Sequence, residues 1–231
     1  MKRFYREVAV AADDGSWRVT LDGRPLRTQG GQAQLLPSRA LAEALAEEWA
    51  AQGEEIDPAA FQLRDLADFA LDAVAGDHAG TVTALLPYAE TDTLCYRAEP
   101  DEPLHARQVE VWEPLLRAAE ARYDVHFERI SGIIHRPQPA ATLARMQAVL
   151  EAQDAFALAA LRTLTNLTAS LVVSLAALEP EADAAALWDA ANLEEDWQTE
   201  LWGRDDEALA RRQRRQASFA AAIRFATLAR G

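Results

Sequence analysis

The segment Leu187–Gly203 reads LWDAANLEEDWQTELWG and sets three indoles, Trp188, Trp197 and Trp202, around a run of acids. Trp188, Glu195 and Trp202 recur at seven-residue spacing, which on one continuous helix places them on nearly one stripe. A carboxylate framed by tryptophans suits a protein-binding surface, where aromatic side chains anchor and a charge discriminates. The same residues have a second reading. Asn192-Leu193-Glu194-Glu195 has the spacing of a capping box. Asn192 then starts a new helix, with Glu194, Glu195 and Asp196 in its first turn near the positive end of the helix dipole. The readings predict different losses. Removing a cap costs about 1 kcal/mol of stability. Removing a charge that anchors a partner spares folding and weakens binding.

A second cluster, Tyr88-Ala89-Glu90-Thr91-Asp92, runs into Cys95-Tyr96-Arg97. Glu90 and Asp92, two residues apart, do not share a helix face and make a poor acid–base pair. Tyrosines beside them fit a hydrogen-bonded core element or the lining of a groove. Glu102-Pro103-Leu104-His105 has the E-x-x-H spacing of carboxylate di-iron bundles, but such a site needs two copies of the motif. His78, His105, His126 and His135 show no HExxH spacing, so no metal centre is expected; His135 reads as a loop residue. Cys95 is the only cysteine, which excludes an internal disulfide, and its default is a small buried hydrophobe. Lys2 is the only lysine. That excludes an internal Schiff-base lysine and a phosphate-binding P-loop. Neither a GxSxG elbow nor a GxGxxG turn is present. Nucleotide-dependent chemistry of the common kinds is not expected, no cofactor motif is present, and nucleophilic catalysis finds no support.

Half of the 231 residues are apolar, enough for a sizeable core in one or two domains. A formal net charge of −14 opposes binding to nucleic acid and to anionic membrane surfaces. The start, MKRFYREVAV, lacks the apolar stretch of a secretory signal. The most hydrophobic run, Leu158–Leu178, carries Arg162 and Asn166 and reads as a buried helix rather than a membrane span. Arg211-Arg212-Gln213-Arg214-Arg215 follows Asp205-Asp206-Glu207. Glu207 and Arg211 sit four apart, as in an exposed salt-laced helix, with an acidic partner patch as the alternative.

These groups need elements to position them. Phe4, Val8 and Val10 mark a short strand, and Trp17, Val19 and Leu21 alternate as a half-buried one. Asp13-Asp14-Gly15 and Leu21-Asp22-Gly23 are turns. Gln34-Leu35-Leu36 reads as a further strand closed by Pro37. Ser38 then caps a helix through Leu41, Leu45 and Trp49 that ends at Gly53. Helices follow through Leu63–Val74, Val82–Tyr88 and Ala106–Tyr123. Val125–Ile134 reads as an extended excursion. Two helices are expected over Ala140–Leu178, then one each over Ala182–Trp202 and Asp205–Leu228. The predicted fold is α+β: a small β-rich N-terminal domain over 1–57, then a larger all-helical C-terminal domain over 58–231.

Five segments in this order, KRFY, LDGRPLRT, AEEWAAQGEEIDP, YAETDTLCYR and LEEDWQTELWG, carry a resemblance. The chain resembles the assembly chaperones of the F-type ATP synthase catalytic head that handle its α subunit, and the likeness runs over essentially the whole chain. It implies the same two-part fold, with no catalysis, metal or nucleotide. It implies binding of an unassembled α subunit, kept soluble until β displaces the chaperone. A monomer is expected. Bacterial members of the family act in the cytoplasm and eukaryotic relatives in the mitochondrial matrix. The family's critical acid falls within Glu194-Glu195-Asp196, and the stripe favours Glu195. Trp188, Trp197 and Trp202 are the expected anchors, with Glu90 and Asp92 as further groove residues. Family members tend to carry Asn where this chain has Asp68, which weakens a role for that helix, although Arg64 and Asp72 stand as surface or groove residues. Two other functions compete: a carboxylate- or metal-dependent hydrolase, which needs Glu90, Asp92, Glu195 or His105 in one pocket, and an adaptor for another complex.

Overall fold

A computed structural model describes residues 1–132, 136–203 and 206–231. Ile134, His135 and Asp205 lie outside the described residues. The protein is α+β. Its Cα positions group into two compact units. The first comprises Met1–His78, Asp154–Ala160 and Ala221–Gly231; the second comprises Ala79–Gln153 and Leu161–Ala220.

The first unit begins with an antiparallel sheet of β1 (Val8–Asp13), β2 (Ser16–Leu21) and β3 (Arg24–Pro25), in that order. Two-residue Asp-Gly turns join them, with φ of 43° and 82° at Asp14-Gly15 and 48° and 77° at Asp22-Gly23. Positive φ at both positions gives the turn twist that matches paired strands, and Asp-Gly tolerates it. The Asp22 carboxylate accepts the backbone N–H of Arg6 and Glu7 at 3.1 and 2.8 Å. Those two bonds hold its pKa below the usual carboxylate value. Val19 and Leu21 face the core. Gln34-Leu35-Leu36 does not form the expected strand. Leu36 exchanges both backbone hydrogen bonds with Trp17, at 2.9 and 2.8 Å, as an isolated bridge. Pro37 then supplies no N–H to extend the ladder.

Helix α1 (Arg39–Ala50) starts where its cap predicts, with Ser38 Oγ accepting the Leu41 N–H at 3.0 Å. Helix α2 (Gln62–Phe69) has no side-chain cap of its own. Glu48 of α1 supplies one, accepting the N–H of Leu63 and Arg64 at 2.7 and 2.9 Å. The helix expected through Val74 passes into a π turn over Ala70–Val74. Its acids hold the loop after β3. Asp68 accepts from the Gln29 N–H and the Gln34 side-chain amide, at 3.1 and 2.6 Å. Asp72 accepts from the Thr28 hydroxyl and the Gly30 N–H, at 2.5 and 2.8 Å. This loop–helix lock runs past residue 57 and explains why the first unit extends to His78.

The second unit is mostly helical: α3 (His78–Leu85), α4 (Pro87–Glu90), α5 (Pro103–Tyr123), α6 (Ala140–Glu151), α7 (Ala155–Thr168), α8 (Leu171–Ala176), α9 (Ala184–Ala191), α10 (Leu193–Trp202) and α11 (Asp206–Arg230). Parts of α7 and α11 belong to the first unit. Where two helices were expected over Ala140–Leu178 there are three. Ala169, at φ 51°, ends α7, and Ser170 Oγ caps α8 by accepting the Val173 N–H at 3.0 Å. Two short strands, β4 (Tyr96–Arg97) and β5 (Ile130–Ser131), pair in parallel and account for the excursion near Val125–Ile134. Helix α5 packs on α6, α8 and α10 and buries Trp112 and Leu116. Among the described residues no helix is long and apolar enough to cross a membrane.

Candidate protein-binding site

The tryptophan-and-acid segment is not one helix. Helix α9 ends and α10 begins at Asn192, whose φ of −107° and ψ of 14° break the helical path. The expected restart occurs without the expected cap. Asn192 makes no cap bond; its amide donates back to the Trp188 carbonyl at 2.8 Å. The bend overturns the stripe. Trp188 is 1% exposed while Trp202 is 79% exposed, so the two indoles cannot frame Glu195 on a shared face.

Trp188 is a core residue. Its ring lies 5.4 Å from that of Phe219 on α11, and the guanidinium groups of Arg212 and Arg215 sit 5.9 and 5.7 Å from its centre. Those arginines then reach α10. Arg212 grips Asp196 with both terminal nitrogens, at 2.6 and 2.7 Å. Arg215 meets Glu195 at 3.3 Å and donates to the Leu167 carbonyl at 2.8 Å. The basic run is therefore a strut between a buried indole and the acids of α10. Its register explains why: positions 212 and 215 are three apart and share the inward face of α11.

Each acid has a distinct environment. Glu194 turns its carboxylate to the fully buried amide of Gln108, which donates at 2.7 Å. Desolvation there raises its pKa, opposed by that hydrogen bond. Asp196 is half-buried under Arg212. The Glu195 side chain is 44% exposed, the more open of the two acids on this turn that form an ion pair. Trp197 is half-buried beside Arg107, whose guanidinium lies 5.9 Å from the ring and pairs with Glu200 at 3.0 Å. At the far end of α10, Leu201 and Trp202 are 64% and 79% exposed, and Gly203 at φ 87° ends the helix. Leu193 is the only fully buried residue of α10. An open groove of about 510 Å³ runs beside α10, floored by Val111, Ala190 and Leu193, with Arg107, Asp196, Glu200 and Arg212 on its walls.

The other expected site residues lie elsewhere. Asp92 is fully buried. It accepts the N–H of Leu94 at 3.1 Å and of Val172 at 2.9 Å, capping both a 3₁₀ turn and α8. Desolvation pushes its pKa up to about 6 against those bonds. A carboxylate so enclosed joins chain segments and has no accessible surface of its own. Glu90 is half-buried at the end of α4. Arg64, in the first unit, lies 4.2 Å from the Phe61 ring centre and 5.9 Å from that of Trp49, and pairs with Asp65 at 2.7 Å. Asp72 is engaged by the loop after β3, as described above. Cys95 is buried, which pushes its thiol pKa up. Among the described residues no group of three or more His, Cys, Asp or Glu side chains converges to hold a metal. Sequence reasoning missed Leu201 and the inward roles of Arg212 and Arg215. The signals were the apolar residue just before Trp202 and the three-residue spacing of the two arginines.

The fold defines the class: an α+β protein with a small antiparallel sheet and a mostly helical second unit, an arrangement found in solved structures of chaperones. Atp12 from Paracoccus denitrificans superposes with a TM-score of 0.93 at 38% identity, over 99% of this chain and 98% of its own. A point mutant of the P. denitrificans Atp12p gives the same TM-score and identity over 99% and 97%. Protein atp12, mitochondrial, from Schizosaccharomyces pombe is 25% identical over 223 residues, covering 90% of this chain and 75% of that protein. Residues 2–120 match the model of the ATP12 chaperone protein family. The chain belongs to this family, the F-type ATP synthase assembly chaperones that its motifs resemble.

Proposed function

We propose that this chain is a non-enzymatic chaperone that binds the unassembled α subunit of the F-type ATP synthase catalytic head, acts as a monomer in a bacterial cytoplasm, and is displaced by β. The observation that carries the reading is the bare end of α10. Leu201 and Trp202 stand in solvent on a helix that otherwise keeps only Leu193 fully buried. A subunit awaiting assembly exposes an apolar interface that aggregates unless covered. An exposed indole and leucine beside a row of carboxylates supply an anchor and a charge filter for such a surface. Within the acidic turn, Glu195 is the best placed to exchange its exposed Arg215 pair for a client cation, because exposed pairs are weak. Trp197 and the groove beside α10 extend the same surface. Glu194 and Asp196 support it through Gln108 and Arg212, while Trp188 and Asp92 act through the core. The hydrolase reading finds Asp92 and Glu195 tied to separate partners.

The test is capture of purified α subunit by wild type, Trp202→Ala and Glu195→Lys. The variants fold normally by circular dichroism and lose capture, Trp202→Ala by about 2 kcal/mol, or thirtyfold. Equal capture by all three proteins overturns the role of α10. No capture by the wild type overturns the choice of client.

A further inference from the structure

The sheet of the first unit has an open side. Strand β1 is at its end, and among the described residues no strand or bridge pairs with its outer edge. The register identifies the free groups. The pair Asp13–Ser16 closes a two-residue turn, and the Asp22 N–H donates to the Glu7 carbonyl at 3.0 Å. Antiparallel alternation then directs Ala9, Ala11 and Asp13 toward β2 and leaves the N–H and C=O of Val8, Val10 and Ala12 pointing outward. Proteins usually blunt such an edge with Lys, Pro or a bulge. Here Val8–Ala12 reads VAVAA and carries none of these.

The edge borders a trough. Glu43, Ala46, Glu47 and Ala50 line one face of α1, and with the Val8–Val10 stretch they enclose about 370 Å³. Its apolar floor is made by alanines, whose small side chains leave the volume open. Its rim is acidic. The Glu43 and Glu47 side chains are 50% and 73% exposed and engage Arg39 at 2.8 Å and Arg224 at 3.4 Å. Exposed pairs of this kind are weak enough for an incoming cation to replace.

We propose that the outer edge of β1 receives an extended, basic segment of the client as a fourth strand, laid in the trough against α1. Backbone pairing to Val8, Val10 and Ala12 provides the affinity, and alternate side chains provide the selection. On the side of the added strand that faces α1, small apolar residues opposite Ala46 and Ala50 take turns with Lys or Arg opposite Glu43 and Glu47, two residues apart. A second copy of this chain is the poorer occupant. It brings the same acidic rim and a net charge of −14 against its twin. The inference rests on the function proposed above only for the source of the segment.

The edge is tested with the full chain and two synthetic peptides in which every second residue, the set that shares one face of the added strand, is in turn Val and Lys in one peptide and in turn Val and Glu in the other, with Thr at the positions between. Fluorescence anisotropy reads binding, and hydrogen exchange reads the amides. The Val-Lys peptide binds at least about tenfold tighter than the Val-Glu peptide. It slows exchange at Val8, Val10 and Ala12, while Ala9 and Ala11 are already protected. Val10→Pro removes an outward N–H without cutting a β1–β2 hydrogen bond and weakens binding about tenfold or more. Ala50→Trp, which fills the trough from an exposed helix end, does the same if the proline variant fails to fold. Equal binding of both peptides, or unchanged amides at the three positions, overturns the proposal. So does a concentration-dependent dimer of the free chain that Val10→Pro abolishes. With purified α subunit, the same three amides gain protection in the complex. A complex that leaves them unchanged overturns the client as source, whereas absence of any complex overturns the choice of client and leaves the peptide result to decide the edge.

Discussion

Asp92 runs against the usual pH behaviour of a carboxylate. It is fully buried, and desolvation lifts its pKa from 3.8 to about 6, although backbone N–H groups and Ser170 donate to it. The folded state therefore holds this proton more tightly than the unfolded chain. Stability from this group is present below the unfolded value and is lost as pH rises through the folded one. The separation corresponds to about 3 kcal/mol. The perturbation is Asp92→Asn, which keeps one acceptor oxygen but turns NH₂ hydrogens toward a backbone donor and no longer titrates. The assay is urea unfolding of both proteins from pH 4 to 7.5. Glu48, Asp68 and Glu194 also have raised pKa values, and Asp22, Glu113 and Glu120 have lowered ones, so neither curve alone isolates Asp92. The difference between the curves does. Wild type gains on the variant by about 2 kcal/mol as pH falls from about 7 to about 4, the full separation of about 3 kcal/mol being reached only below the unfolded pKa, and the difference is level above about 7. A difference independent of pH refutes the reasoning, because the carboxyl would then titrate alike in both states.

Glu48→Ala leaves two N–H groups at the start of α2 without their acceptor and lowers stability by about 1–2 kcal/mol, read as a lower urea midpoint at unchanged m-value. Trp188→Ala opens a cavity beside Phe219 and removes the ring that Arg212 and Arg215 cover. Calorimetry shows a loss of about 3–5 kcal/mol, in contrast to Trp202→Ala, which changes stability by less than about 0.5 kcal/mol.

The local chemistry of this chain is written in its residue order. Asp14-Gly15 and Asp22-Gly23 specify two tight turns because few other pairs accept positive φ at both positions. Ser38 caps α1, and the alternation of Val19 and Leu21 selects the buried face of β2, because these choices depend on neighbours along the chain. The α+β order and the family motifs follow from the same local patterns. Burial across the chain does not. Trp188 and Trp202 have the same chemistry and seven-residue relation to Glu195, yet the bend at Asn192 sends one inside and the other out. Asp92 became a buried cap because Val172, eighty residues later, brings its N–H to it. Arg212 and Arg215 left the expected helix-surface pairing for α10 and the Trp188 ring. Turns and caps are set within a few residues, whereas the exposure of an indole or the partner of a charge depends on packing by segments distant in sequence, which only the tertiary structure decides.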